Sequence, residues 1–283
     1  MKHSTSRAVA ALIGAGASVL ILAGCASGSS GSTVDPSCTP KSTFSTLNSG
    51  SLTIAGPDYP PLFTYTDNKM AGVDGDILAS FAAANCLKTT VNVLPAASVI
   101  QAVSGGQADV AAGGWYRTAA RAKVVGQTQP DYSDPAVLVG IHPTKDIGDY
   151  KGKTIGTTQG YLWSDDMVKW GGDNVKLYQS PDAVFQDLMN GRIDVALMAV
   201  NEAAYRLKQN PGTKLSYTTI VPFAPVPATS TPSVTNFPFA KSNTKLGAAL
   251  DAYITDIRNT GKLAKILEKY GIDKSAANPS AQK

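Results

Sequence analysis

The residues best suited to chemistry lie in the stretch 111–124, AAGGWYRTAARAKV. A diglycine, Gly113-Gly114, precedes two aromatics, Trp115 and Tyr116, and Thr118 then opens a predicted helix that carries Arg121 in its first turn. Arg117 and Lys123 flank this helix start, and no Asp or Glu occurs between positions 110 and 130. A helix start presents free N–H groups and a partial positive charge, and it normally attracts acidic side chains. A basic one calls for an anion from outside, and a guanidinium beside backbone donors suits a carboxylate. The alternative is a solvated basic turn after a strand.

Catalytic sets are missing elsewhere in the sequence. No nucleophile pairs with a histidine, His142 is the only histidine beyond the first few residues, and neither H-x-x-H nor C-x-x-C spacing occurs. These features favour binding over catalysis, with no cofactor and no metal.

The elements that must position Arg121 follow from periodicity. Short β-branched runs alternate with helical stretches, the pattern of α/β lobes with largely parallel sheets. Residues 52–55 read as a strand and 74–85 as a helix with Ile77, Leu78 and Phe81 on one face. A strand at 91–94 precedes a helix capped by Ser98, stopped by Gly105-Gly106, and 110–112 is the strand that delivers the diglycine. The run 136–142 reads as a strand, after which the same grammar repeats. Strands are predicted at 154–156, 176–178 and 194–198, and helices at about 161–170, 181–190 and 201–209. The proline-rich stretch 221–238 must be extended, and 246–270 forms two helices broken near Gly261. Two α/β lobes with crossings near 136–142 and 231–238 result, and the cleft between such lobes is a standard place for a small ligand. The boundaries assigned are 51–138 plus 236–273 for lobe 1, 139–235 for lobe 2 and 274–283 for a tail.

The N-terminus reads as a targeting signal. Lys2, His3 and Arg7 precede an apolar run too short for a membrane span, which closes on Leu22-Ala23-Gly24-Cys25. This ending resembles the lipobox of bacterial lipoproteins, which makes 1–24 the signal peptide and Cys25 the lipidated anchor; the alternative is an ordinary signal cut near Ala23 or Ala26. Residues 25–50 are read as the lipidated Cys and a flexible Gly/Ser-rich tether. The formal net charge is +4; loss of Lys2 and Arg7 leaves about +2, too little to mark a nucleic-acid binder. Cys38 and Cys86 form an even pair in a chain sent to an oxidising compartment, and a disulfide between them is predicted, the alternative being two buried thiols.

Several segments together resemble the family 3 solute-binding proteins of ABC importers, the polar amino-acid type. They are Tyr59-Pro60-Pro61; Gly72-Val73-Asp74-Gly75-Asp76-Ile77-Leu78; Ser104-Gly105-Gly106-Gln107-Ala108-Asp109-Val110; the stretch 118–123 with Ser133-Asp134-Pro135; Lys151-Gly152-Lys153-Thr154-Ile155-Gly156; Asn190-Gly191-Arg192-Ile193-Asp194; and Thr260-Gly261-Lys262-Leu263-Ala264-Lys265-Ile266 with Lys269-Tyr270-Gly271. The resemblance implies the periplasmic-binding-protein-like clamshell, two α/β lobes joined by two hinge strands. It also implies an exported solute-binding lipoprotein on the outer face of the cell membrane, working with a membrane permease, monomeric and not an enzyme. By the same resemblance Arg121 is the carboxylate clamp and Thr118 its backbone helper. Tyr59 lies against the ligand, and Gly160-Tyr161-Leu162 approach it from lobe 2, with Gly114, Trp115 and Tyr116 completing the wall.

Three departures bear on the solute. Where the family's amino-acid binders carry an acid for the ligand's ammonium, this chain has Ala199, with Asn201 or Glu202 as substitutes; Tyr116 replaces the usual Thr, and Ala120 the usual Glu. An ammonium buried without a counter-charge is costly. The expected solute is therefore an amino acid or related small carboxylate whose other end is apolar, weakly polar or a methylated amine held by Trp115, Tyr116, Tyr161 and Trp163. Two alternatives are a dehydratase-like enzyme on the same fold and a ligand sensor without transport.

Overall fold

The computed structural model of the protein describes residues 37–230 and 233–279. The expected signal peptide, Cys25 and positions 280–283 of the expected tail lie outside the described residues.

Strand β1 (Ser51–Gly56) buries Leu52, Ile54 and Ala55 on both faces, as a central parallel strand must. A hairpin of β2 (Thr64–Thr66) and β3 (Lys69–Ala71) leads into α1 (Val73–Ala84), which packs Val73, Ile77, Leu78 and Phe81 inward. After β4 (Lys88–Val93), α2 (Ala96–Ser104) buries Val99, Ala102 and Val103. This helix starts three residues earlier than a cap at Ser98 implies, with Pro95 as its cap residue. Pro95 holds the entry, and the Ser98 N–H donates to the Pro95 carbonyl inside the first turn. Next come β5 (Val110–Ala111), β6 (Trp115–Tyr116), the one-turn α3 (Ala119–Ala122) and β7 (Gly126–Gln127).

The second lobe begins with β8 (Ala136–Gly140) and continues through β9 (Ile155–Thr158), α4 (Ser164–Gly171) and β10 (Val175–Tyr178). Ser180 then caps α5 (Pro181–Met189) by accepting from the Ala183 N–H, with Pro181 in the first turn. The lobe closes with β11 (Val195–Ala199), α6 (Val200–Gln209) and β12 (Ser216–Thr219). The chain returns through β13 (Thr235–Asn236) and β14 (Pro238–Phe239) to α7 (Thr244–Asn259) and α8 (Lys262–Lys269). Gly261, at φ 71°, makes the left-handed break between these two helices.

The first sheet has the order β4-β1-β5-β14-β7 and the second β10-β9-β11-β8-β12. In each, four strands run in one direction and the fourth in the order, β14 or β8, runs antiparallel to both its neighbours. The cause is the connectivity. Strands β14 and β8 arrive from the opposite lobe, so no βαβ crossover fixes their direction. All five residues of β8 are buried, so this run is an interior strand of the second sheet, and the crossing itself falls just before it, at 131–135. There it runs beside the return segment: Asp131 N–H donates to Thr235 O, Thr235 N–H to Tyr132 O, and Asp134 N–H to Ser233 O, at 2.8–3.0 Å. Strand β13 also pairs with β6, so the return crossing is laddered to the strand that precedes Arg121.

Both ends of the described chain lie on the first lobe. Cys38 and Cys86 are disulfide-bonded, Phe44 stacks on Phe81, and the Leu47 N–H donates to Asp109, which also receives the Thr53 N–H. Residues 37–50 of the expected tether are thus held against lobe 1. At the other end, the turn Lys274–Ala277 buries Ala276 and Ala277, and the Ala276 carbonyl accepts from the Ser133 N–H at 2.9 Å. Arg258 donates to the carbonyls of both Ala277 and Asp131.

Candidate functional site

Between the lobes lies a cavity of about 430 Å³, a figure that includes the open space at its mouth. Lobe 1 contributes Tyr59, Leu62, the diglycine, Trp115, Tyr116 and Arg121; lobe 2 contributes the loop 160–163 after β9, Ala199 and Glu202; Asp134 comes from the crossing. Nine of the ten residues expected at a ligand site line this one space. The tenth, Thr118, does not. Its hydroxyl caps α3 by accepting from the Arg121 N–H, and its own N–H donates to the Gln127 side chain.

Backbone geometry brings these walls together. Gly114 has φ 68°, and a Cβ there would sit 2.5 Å from the Leu62 side chain. Asp74, at the start of α1, accepts the Gly113 and Gly114 N–H groups at 2.7 and 2.9 Å. The diglycine amides are therefore occupied by the protein, and the cation facing the cavity is a side chain. Arg121 is half-buried, with its guanidinium 4.9 Å from the Trp115 ring centroid and Nη1 donating to the Tyr116 carbonyl. Burial lowers its pKa to about 10, so it stays charged at neutral pH. None of the ion pairs among the described residues involves it.

The lobes meet through aromatic rings. Tyr59 of lobe 1 lies 5.7 Å from Tyr161 of lobe 2, and Tyr116 lies edge-on to Trp163 at 5.9 Å. The Tyr116 hydroxyl donates to the Asp134 carbonyl. Backbone contacts close the gap further. A Cβ on Gly160 would fall 2.8 Å from the Ala97 nitrogen, and Arg206 of α6 donates to the Pro60 carbonyl.

Two acids face the same space. Glu202, in the first turn of α6, is 1% exposed, and both its oxygens accept from the Tyr161 hydroxyl at 2.8 and 3.0 Å. Burial pushes its carboxyl well above the usual range, Arg206 opposing and Asp134 reinforcing the shift. Asp134 is also 1% exposed; Oδ1 accepts from the Asn201 N–H at 3.1 Å. Burial raises its carboxyl to about 7, against the Asn201 hydrogen bond and with the help of Asp74. Sequence reasoning placed Asp134 in a motif and assigned it no site role. The available signal was an Asp-Pro at the lobe crossing, which carries no hint of which way the side chain turns. Leu62, Ala96 and Gly113 also line the cavity unpredicted.

The sequence model for bacterial extracellular solute-binding proteins, family 3, matches residues 52–273. An arginine-binding periplasmic protein of Mannheimia haemolytica is 29% identical over 170 residues, spanning 59% of this chain and 70% of the relative. Among solved structures, a substrate-binding protein of an ABC uptake transporter from Streptococcus pneumoniae with bound histidine superposes with a TM-score of 0.71 at 18% identity, covering 82% of this chain and 96% of that one. An arginine-, lysine-, histidine-binding protein from Geobacillus stearothermophilus gives 0.67 at 21% identity, covering 78% and 95%. At these identities the superpositions establish the two-lobed fold.

Proposed function

Because the chain belongs to the bacterial extracellular solute-binding proteins, family 3, a family of binding proteins and not of enzymes, we propose that it captures an amino acid or related small carboxylate solute and presents it to an ABC permease. The observation that carries this reading is Arg121: a half-buried guanidinium on the cavity wall, stacked on Trp115, with no acidic partner among the described residues. A carboxylate binding there gains a charge-assisted, forked pair in a site that lobe closure dries. Tyr59, Trp115, Tyr116 and Tyr161 form the walls, and the contacts between Gly160 and Ala97 and between Arg206 and Pro60 support a reading in which the lobes close over the solute.

No helix among the described residues is long and apolar enough to cross a membrane. We place the protein on the outer face of the cell membrane, held as a monomer by a lipid on Cys25. The Leu22-Ala23-Gly24-Cys25 sequence supports that placement, and mass spectrometry of the N-terminal peptide tests it. For binding, titration calorimetry with the L-amino acids is the direct test. Arg121→Ala should weaken the best ligand at least 100-fold, since it leaves a buried carboxylate unpaired. Unchanged affinity in that variant would place the site elsewhere.

A further inference from the structure

We propose that Asp134, on the segment that carries the chain from the first lobe to the second, receives the positively charged group of the bound solute through Oδ2. The inference rests on the carboxylate-binding role of Arg121 and supplies the other end of the ligand. Asp134 is one of the residues lining the cavity. Its Oδ1 is engaged by the Asn201 N–H, whereas Oδ2 is buried without a hydrogen-bond partner. That free oxygen lies 3.7 Å from the Cβ position of Gly114, itself a cavity residue. A buried carboxylate oxygen with no donor is unfavourable, and a donor entering with the ligand removes the defect.

The competing acceptors are less available. Ala199 carries no acid, and Glu202 already holds the Tyr161 hydroxyl on both oxygens. Arg121 pairs with neither acid, so the cavity keeps its positive and negative groups apart. That separation suits a bipolar solute, with carboxylate at Arg121 and cation at Asp134. An N–H donor is what Oδ2 lacks, and this selects a primary ammonium over a methylated one. The aromatic rings agree, because Trp163 takes both Tyr116 and Tyr161 edge-on and the rings are engaged with one another. The position also links binding to closure. Oδ1 holds the first turn of α6 in the second lobe, while the Asp134 N–H is paired to the returning strand at Ser233.

Calorimetry at pH 7.5 with the twenty L-amino acids, the desamino and N,N,N-trimethyl derivatives of the best of them, and glycine betaine tests the assignment. The expected result is that the desamino and trimethyl forms bind wild-type protein at least 100-fold more weakly than the parent amino acid. Asp134→Asn, which keeps the oxygen that holds α6, should weaken the parent amino acid at least 30-fold and the desamino acid less than threefold. Parent affinity in Asp134→Asn within threefold of wild type overturns the proposal. So does a trimethyl derivative that binds wild type as well as its parent, a comparison that needs no variant to fold. If glycine betaine or a simple carboxylate binds and no amino acid does, the Asp134 assignment falls while that of Arg121 stands. If Arg121→Ala leaves binding intact, or nothing in the panel binds, both fall.

Discussion

Arg121 depends on its shape as much as on its charge. The planar guanidinium stacks on Trp115 while one edge binds the Tyr116 carbonyl, leaving the rest of the fork for a carboxylate. Lysine keeps the charge and loses both the stacking plane and the fork. Arg121→Lys should therefore weaken solute binding by about 10- to 100-fold, and calorimetry would show it; equal affinity would mean that only charge matters. Tyr161 is tested differently. Its hydroxyl donates to Glu202, so Tyr161→Phe removes a side-chain donor from a buried carboxyl, at a cost of about 1–3 kcal/mol, visible as a lower denaturant midpoint without solute. Residues such as Arg121 and Trp115 were legible because their chemistry is local: a basic helix start and an aromatic pair speak from a few neighbouring positions. Asp134 was not, because its role comes from α6 and the Gly114 loop meeting it across the crossing, a relation that no local spacing encodes.

At the level of elements, the loop 160–163 closes on the start of α2 with backbone against backbone. A methyl group on Gly160 would meet the Ala97 nitrogen and Cα at 2.8 and 2.9 Å, atoms that cannot turn aside. Gly160→Ala should keep both lobes folded and hold them apart. Added solute would then fail to shrink the particle in small-angle scattering, and affinity would drop at least tenfold; normal contraction would exclude this contact as the stop. The Cys38–Cys86 link closes a loop 48 residues apart in sequence. Chain entropy alone assigns it about 4 kcal/mol, so Cys38→Ser with Cys86→Ser should lower the melting temperature by several degrees and leave solute affinity little changed. Helices were legible here because α1, α5, α7 and α8 repeat an apolar face. The two-residue strands β6, β7, β13 and β14 are too short for any period to show. The sequence reads β8 both as a strand and as the place of a crossing; it is a strand buried on both faces, and the crossing runs just before it.

Across the whole molecule, buried acids concentrate where the lobes join. Burial raises Asp74, Asp131 and Asp134, the last two to about 8 and about 7, and holds Glu202 well above its usual range. In the unfolded chain these carboxyls ionise near 3.8 or 4.5, so between about pH 4 and pH 8 the folded protein binds more protons than the unfolded one. Stability is then fully present at the acidic end and is lost as pH rises through the folded values. Without solute, the melting temperature should be higher at pH 5.5 than at pH 8; a rise over that interval would mean that the four acids are ionised in the folded state. The two-lobe plan was legible because the strand–helix grammar repeats, whereas the place of the crossing depended on which strand each sheet recruited. The turn Lys274–Ala277 adds a practical consequence. Its Ala276 carbonyl holds the Ser133 N–H, one residue from Asp134, so this turn rests on the crossing, the joint about which the proposed closure would rotate. A fluorophore attached at Asn278 would sit beside that joint and change its signal when solute arrives, turning the protein into an optical reporter, whereas an affinity tag fused close to Ala277 risks stiffening the motion it is meant to leave alone.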